Sequence, residues 1–158
     1  MHALYDQHHE FDAGPSSPTQ QVPASGRVYA AVPRDHGAGG AVMEGIFLVN
    51  LLPARILFDS GASHSFISRA FMLLLHLTPA VLEDPLSVAT PLGDFCLLDR
   101  ICRRCIVSLD DMQFRADLIV LPMSEFDIIL GMDWLSSYHV SLHCFAKIVC
   151  LRIPADLK

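Results

Sequence analysis

Ile56-Leu57-Phe58-Asp59-Ser60-Gly61-Ala62 decides how this sequence is read. Three apolar residues deliver a carboxylate to a loop that opens with a small hydroxyl residue and a glycine. Hydrolysis by carboxylates needs two of them sharing one proton. One is ionised and takes a proton from water; the other is protonated and hydrogen-bonds the carbonyl. Like charges about 3 Å apart cannot both ionise, so their titrations split. Ser60 can hydrogen-bond across such a pair. Gly61 permits close backbone approach and positive φ, and Ala62 completes the loop. By itself the triplet also fits an ordinary strand-to-turn junction.

A second element stands downstream at Phe126-Asp127-Ile128-Ile129-Leu130-Gly131. Ile129, Leu130 and Gly131 are expected to run under the Asp59 loop and brace it, although a plain buried strand with a glycine stop has the same appearance. Around these two anchors the sequence breaks into short elements. Val42 to Asn50 reads as a strand, Asn50 to Pro53 as a turn and Arg55 to Phe58 as a second strand. Ser65 is expected to cap a helix over Phe66 to Leu77, with Phe66, Ala70, Leu73, Leu74 and Leu77 on one face. Leu86 to Thr90 and Phe95 onward read as strands joined by Pro91-Leu92-Gly93-Asp94. Cys105 to Leu109 and Gln113 to Leu121 form a hairpin across Asp110-Asp111. Asp127 to Leu130 is a buried strand, Asp133 to His139 a short helix, and Leu142 to Leu151 one or two closing strands. The expected fold is mostly β: a closed β-barrel with one or two short helices.

Residues 1–40 read as a disordered or linker tail, rich in Pro, Gly and Ser, and residues 41–154 as the folded domain. Only Arg27 to Val32 in the tail suggests an edge strand. Of the 158 residues 52% are hydrophobic and 18% charged, so a core can be buried. The net charge is -6, and Arg103-Arg104 is the one basic pair. That balance argues against direct nucleic-acid binding. Neither a signal peptide nor an apolar run of membrane-spanning length is visible, and an intracellular, cytoplasmic location is expected. Five cysteines cannot all pair within one chain, which fits reduced thiols. Cys102 and Cys105 have the spacing of half a zinc site, with His143 and Cys144 as partners. No second clean pair exists, so thiols in or beside a strand are preferred to a metal, and no cofactor is expected.

With these motifs in place, Ile56–Arg69 (ILFDSGASHSFISR) resembles the catalytic region of gypsy-type retrotransposon proteases. Asp117–Leu135 (DLIVLPMSEFDIILGMDWL) is similar to the same family's later core, and Ser87–Asp94 (SVATPLGD) to its flap hairpin. The resemblance covers about residues 42–153. It implies a retropepsin-like fold, a homodimer, and aspartic endopeptidase activity on a retroelement (Gag-Pol type) polyprotein. Residue by residue, it makes Asp59 the catalytic aspartate and Ser60-Gly61 its loop. Pro91, Leu92 and Gly93 become the substrate-binding flap tip, and Ile129-Leu130-Gly131 the bracing motif. The sequence departs from the pattern at Leu51-Leu52 and Asp110-Asp111, where smaller turn residues are usual.

Only one Asp-Ser/Thr-Gly triplet occurs, so the second carboxylate has to come from another copy of the chain. Asp127 and Asp133 lack the following Ser/Thr-Gly and read as a strand-edge residue and a helix cap. His64, His76, His139 and His143 have no metal-ligand spacing, Ser63 and Ser65 lack a nucleophile-elbow setting, and Trp134 reads as core. The competing reading is a catalytically silent, domesticated or remnant module that keeps the fold and the dimer for interaction alone.

Overall fold

In the computed structural model, residues 26–30, 32–34, 42–89, 95–143, 145–146 and 148–152 are described. The strands are, in chain order, β1 (Gly26–Ala30), β2 (Val32–Arg34), β3 (Val42–Val49), β4 (Leu52–Phe58), β5 (Phe66–Ser68), β6 (Ala80–Ala89), β7 (Phe95–Leu109), β8 (Met112–Leu121), β9 (Ile128–Leu130), β10 (Ser141–His143) and β11 (Ile148–Arg152). Helix α1 (Arg69–Leu74) follows β5, and α2 (Met132–Ser137) follows β9.

Local turn chemistry sets the hairpins. Val49 pairs with Leu52, leaving Asn50-Leu51 as a two-residue loop. Both loop residues have positive φ, 46° and 71°, the geometry that matches strand twist in tight hairpins. Asn50 offsets the lack of a glycine by anchoring the turn. Its backbone N–H donates to Ile106 O at 2.9 Å, and its Oδ1 accepts from Ile106 N at 2.8 Å. Asp110, at φ 52°, opens the equally short β7–β8 loop, in which Leu109 pairs with Met112.

Eight strands form one sheet in the order β2-β3-β4-β9-β5-β8-β7-β6, and β3 also pairs with β7 through Leu48–Ser108 and Val49–Val107. That extra pairing joins β3, β4, β9, β5, β8 and β7 into a closed ring. Its interior holds Ile56, Ile67, Val107, Leu118, Ile128 and Leu130, all fully buried. Burying such apolar surface is the main driving force for the fold. Phe58, Phe114, Trp134 and Tyr138 extend the core as an aromatic run, with centroids 5.0–6.4 Å apart. A smaller cluster of Phe66, Leu98, Ile101 and Ile119 packs with Ala62, Val88, Cys96 and Ile129. It joins the Asp59 loop to the β6–β7 hairpin.

Two expectations are corrected. The helix expected over 66–77 starts later, because Phe66 and Ile67 are taken into the sheet between β8 and β9. Ser68, not Ser65, caps α1, accepting from Phe71 N at 3.1 Å. The buried face is Phe71 and Met72, while Leu73 and Leu74 are 60% exposed. Asp133 does not cap α2: the N-cap is Gly131, which makes no side-chain cap bond, and Asp133 lies in the first turn. β1 overlaps the edge strand suggested over Arg27 to Val32 and pairs with β11, and β2 pairs with β3. β1, β11 and β10 make a separate three-stranded sheet. Residues 90–94, with Pro91, Leu92 and Gly93, lie outside the described residues, as does Cys144.

Candidate active site

The central feature is where β4 ends. β4 and β9 run parallel, with Ile56 beside Ile128, Leu57 beside Ile129 and Phe58 beside Leu130. One hydrogen bond beyond the ladder, Asp59 N donates to Leu130 O at 2.9 Å. The apolar run of β4 is buried, so the chain reaches solvent only at Asp59, which is half-buried, and at Ser60 and Gly61, which are exposed. Asp59 Oδ1 accepts from Gly61 N at 2.8 Å, and Ala62 N donates back to Asp59 O at 3.3 Å. These bonds curl the loop around its own carboxylate. No donor among the described residues meets the other carboxylate oxygen. Gly61 serves close approach, not positive φ: a Cβ there would stand 3.1 Å from Asp59 Oδ1, so the carboxylate would have to give by a few tenths of an ångström, and its φ lies outside the left-handed region.

The bracing motif acts through Gly131. A Cβ at this position would lie 2.1 Å from His64 O and 2.8 Å from Ala62 O. Backbone atoms cannot swing aside as a side chain can, so only glycine lets the start of α2 press against the loop. Met132 N donates to Ala62 O at 2.7 Å and Asp133 N to Ser63 O at 3.2 Å. Ser65 ties the other side. Its Oγ donates to Asp133 Oδ1 at 2.6 Å and accepts from Gly131 N at 3.0 Å, and its N–H donates to Asp133 Oδ2 at 3.2 Å. Asp133 Oδ1 also accepts from Trp134 N at 2.7 Å. Asp133 and Ser65 therefore hold the loop. The residue types hint at this, a buried serine and an acid two residues after the bracing glycine, but only the fold pairs them across 68 positions.

Asp127 is engaged elsewhere. Its Oδ2 accepts from Arg55 N at 2.8 Å, and its backbone bonds to Arg55 O and Ser68 N continue the sheet edge. Asp59 is thus brought together with Ser60, Gly61, Ala62, Ile129, Leu130 and Gly131, and with neither of the other two aspartates as a paired carboxylate. Among the described residues no group of three or more His, Cys, Asp or Glu is gathered as for a metal. Cys102 and Cys105 are buried on either side of a bulge in β7. Burial pushes the Cys105 thiol up to about 12, with Cys102 and Asp117 adding to the shift, and burial raises Cys102 as well. Among the described residues no helix is long and apolar enough to cross a membrane.

Two solved structures share this architecture. The retroviral protease-like domain of Ddi1 from Leishmania major is 17% identical, with 74% of this chain and 98% of that one covered and a TM-score of 0.55. A retropepsin-like aspartic protease from Rickettsia conorii is also 17% identical, with 80% and 92% covered and a TM-score of 0.55. At that identity the likeness concerns the fold. A comparison with curated proteins finds no match. The family model for retroviral aspartyl proteases matches residues 23–156. The match takes in both the Asp59 loop and the Gly131 brace, and the chain belongs to the retroviral aspartyl protease family.

Proposed function

We propose that the protein is an aspartic endopeptidase that works as a homodimer, each copy supplying one Asp59, and that it cleaves a Gag-Pol type polyprotein of a gypsy-like retroelement. The observation that carries this reading is a single solvent-facing carboxylate on a loop braced from both sides. Asp127 and Asp133 are both committed to structural hydrogen bonds. One chain therefore holds half of a two-carboxylate site, and a two-fold axis through the loops completes it.

In that dimer the two Asp59 carboxylates share a proton, bind one water between them and add it to the scissile carbonyl. Ser60, exposed and next to the carboxylate, is placed to hydrogen-bond to the partner loop. Met132, directly after the bracing glycine and 42% exposed, supplies apolar surface beside it. The β6–β7 hairpin acts as the flap, and Pro91, Leu92 and Gly93, which follow β6 in the sequence, are its substrate-binding residues. It would pair with an extended peptide and exclude water. The half-buried Val88 and Cys96 of that hairpin belong to the same cluster as Ala62 and Ile129, which makes an apolar floor for substrate side chains. Buried, reduced Cys102 and Cys105 suit a reducing, intracellular compartment.

The test is cleavage of an extended peptide library by the purified protein, with binding of a statine-type inhibitor whose hydroxyl replaces the attacking water. Asp59→Asn should keep the fold and lose cleavage entirely. A folded dimer that neither cleaves nor binds the inhibitor would leave the chain as an interaction module.

A further inference from the structure

Arg55 shares a face of β4 with Asp59. Side chains alternate along a strand, so Arg55, Leu57 and Asp59 project from one face of β4 and its continuation, while Ile56 and Phe58 enter the barrel core. Four residues of strand put Arg55 roughly 13 Å from Asp59. Between them, Leu57 stands beside Ile129, and Ile129 belongs to the apolar cluster that floors the proposed cleft.

Three neighbours hold Arg55. Its N–H donates to Asp127 Oδ2 at 2.8 Å, and its O accepts from Asp127 N at 3.0 Å. Its Nη2 stands 3.4 Å from Glu44 Oε2 and 3.5 Å from Oε1. The guanidinium also lies over the Phe126 ring, 5.0 Å from its centroid. Glu44 is buried, and the Arg55 side chain is 35% exposed. At those lengths the ion pair is looser than a close charge-assisted bond. Removing Glu44 from water costs about as much as the attraction returns, so the pair is a poor source of stability. Its effect is geometric: Glu44 fixes the guanidinium, and the guanidinium fixes the ring. Phe126 and Asp127 end the segment 122–127 that leads from β8 to β9. Met123 of the same segment packs in the cluster with Ala62 and Ile129.

We propose that Arg55 is a positioning residue for substrate binding. Acting through Phe126, it sets where the 122–127 segment stands and so fixes Met123 at one side of the apolar floor. The inference rests on the endopeptidase reading. Arg55 takes no part in the proton transfers at Asp59. It governs how tightly an extended apolar peptide is held, not how fast its bond is broken. Lysine in its place keeps a charge for Glu44 but loses the planar group that covers the ring.

The experiment compares Arg55→Lys with the parent in two ways. One is steady-state cleavage of an extended peptide. The other is the ¹³C ε-methyl spectrum of the methionines, with Met123 assigned through Met123→Leu and Met112, beside the β7–β8 turn, as internal control. KM should rise about fivefold while kcat stays within about twofold. The Met123 methyl resonance should shift while that of Met112 stays in place. Phe126→Leu removes the ring and leaves the ion pair, and it serves should Arg55→Lys fail to fold. It should raise KM to a similar degree. The two substitutions together should raise KM no further, because both break one link. Unchanged KM in the folded variants, a loss in kcat alone, effects that multiply in the double variant, or an unmoved Met123 resonance would overturn the proposal. If the parent protein cuts no peptide, the endopeptidase reading fails. The Met123 resonance then still decides whether Arg55 positions the segment.

Discussion

Replacing Gly131 by alanine perturbs the brace under the Asp59 loop at its tightest point. The new Cβ would lie 2.1 Å from His64 O, against a minimum of 3.0 Å for real contacts, so the two backbones must part by about 0.9 Å. That movement strains three hydrogen bonds: Met132 N to Ala62 O, Asp133 N to Ser63 O and Gly131 N to Ser65 Oγ. Overpacking costs about 1–3 kcal/mol, and three weakened hydrogen bonds add roughly 0.5–1.5 kcal/mol each. Together the loss is about 4 kcal/mol, a large part of the roughly 5–15 kcal/mol that holds a domain folded. Urea denaturation followed by the fluorescence of Trp134, compared at one protein concentration, reads it directly. With a slope of about 2 kcal/mol per M, the midpoint should fall by about 2 M. A midpoint within about 0.3 M of the parent, at unchanged slope, would refute the claim that α2 is wedged against the loop.

Other expectations follow from particular contacts. Ser65→Ala removes the bond to Asp133 and leaves Gly131 N–H buried without an acceptor, so it should destabilise by about 3 kcal/mol in the same denaturation experiment. Leu51→Gly should stabilise by up to about 1 kcal/mol, since Leu51 is 77% exposed at φ 71° and glycine suits that geometry; a loss of stability would show that Leu51 is packed in solution. The raised Cys105 thiol gives a stability term fully present below the ordinary thiol value near 9 and lost as pH rises toward about 12. Urea midpoints from pH 8 to 11 should therefore fall less steeply for Cys105→Ala than for the parent. A chain beginning at residue 23 should fold like the full sequence, whereas one beginning at residue 41 loses β1 and β2 and bares the edge of β11. Equal denaturation midpoints for the two truncations would contradict that role for β1.

The parts of the fold legible in the sequence were those that local chemistry determines. Apolar runs bounded by Asp59 and Gly131 marked β4 and β9, and the Asp110-Asp111 turn separated β7 from β8. The helix after Ser65 starts later than the pattern predicts because apolar residues lie on both faces of that stretch. Periodicity chose Leu73 and Leu74, whereas the pairing of Phe66 and Ile67 with two neighbouring strands set the phase and turned Phe71 and Met72 inward. Asp133 departs from the capping role its position suggests for a related reason. Its partner Ser65 is 68 residues away, and nothing local distinguishes a carboxylate that caps a helix from one that reaches across to a loop. The partnering of β1 with β11 is equally non-local, joining Gly26 to Arg152.

The central claim is that two chains build one site, each giving its Asp59. Mixing subunits tests it most directly. With wild-type protein held constant above its dimer dissociation constant, an equal amount of Asp59→Asn chain is added and peptide cleavage is followed after exchange. Random pairing puts about half of the wild-type chains into mixed dimers, and a mixed dimer has one carboxylate where the chemistry needs two. Cleavage should therefore drop to about half with equal Asp59→Asn chain and toward zero with a large excess. Cleavage that stays constant at every mixing ratio, with exchange verified by mass, would contradict the shared site.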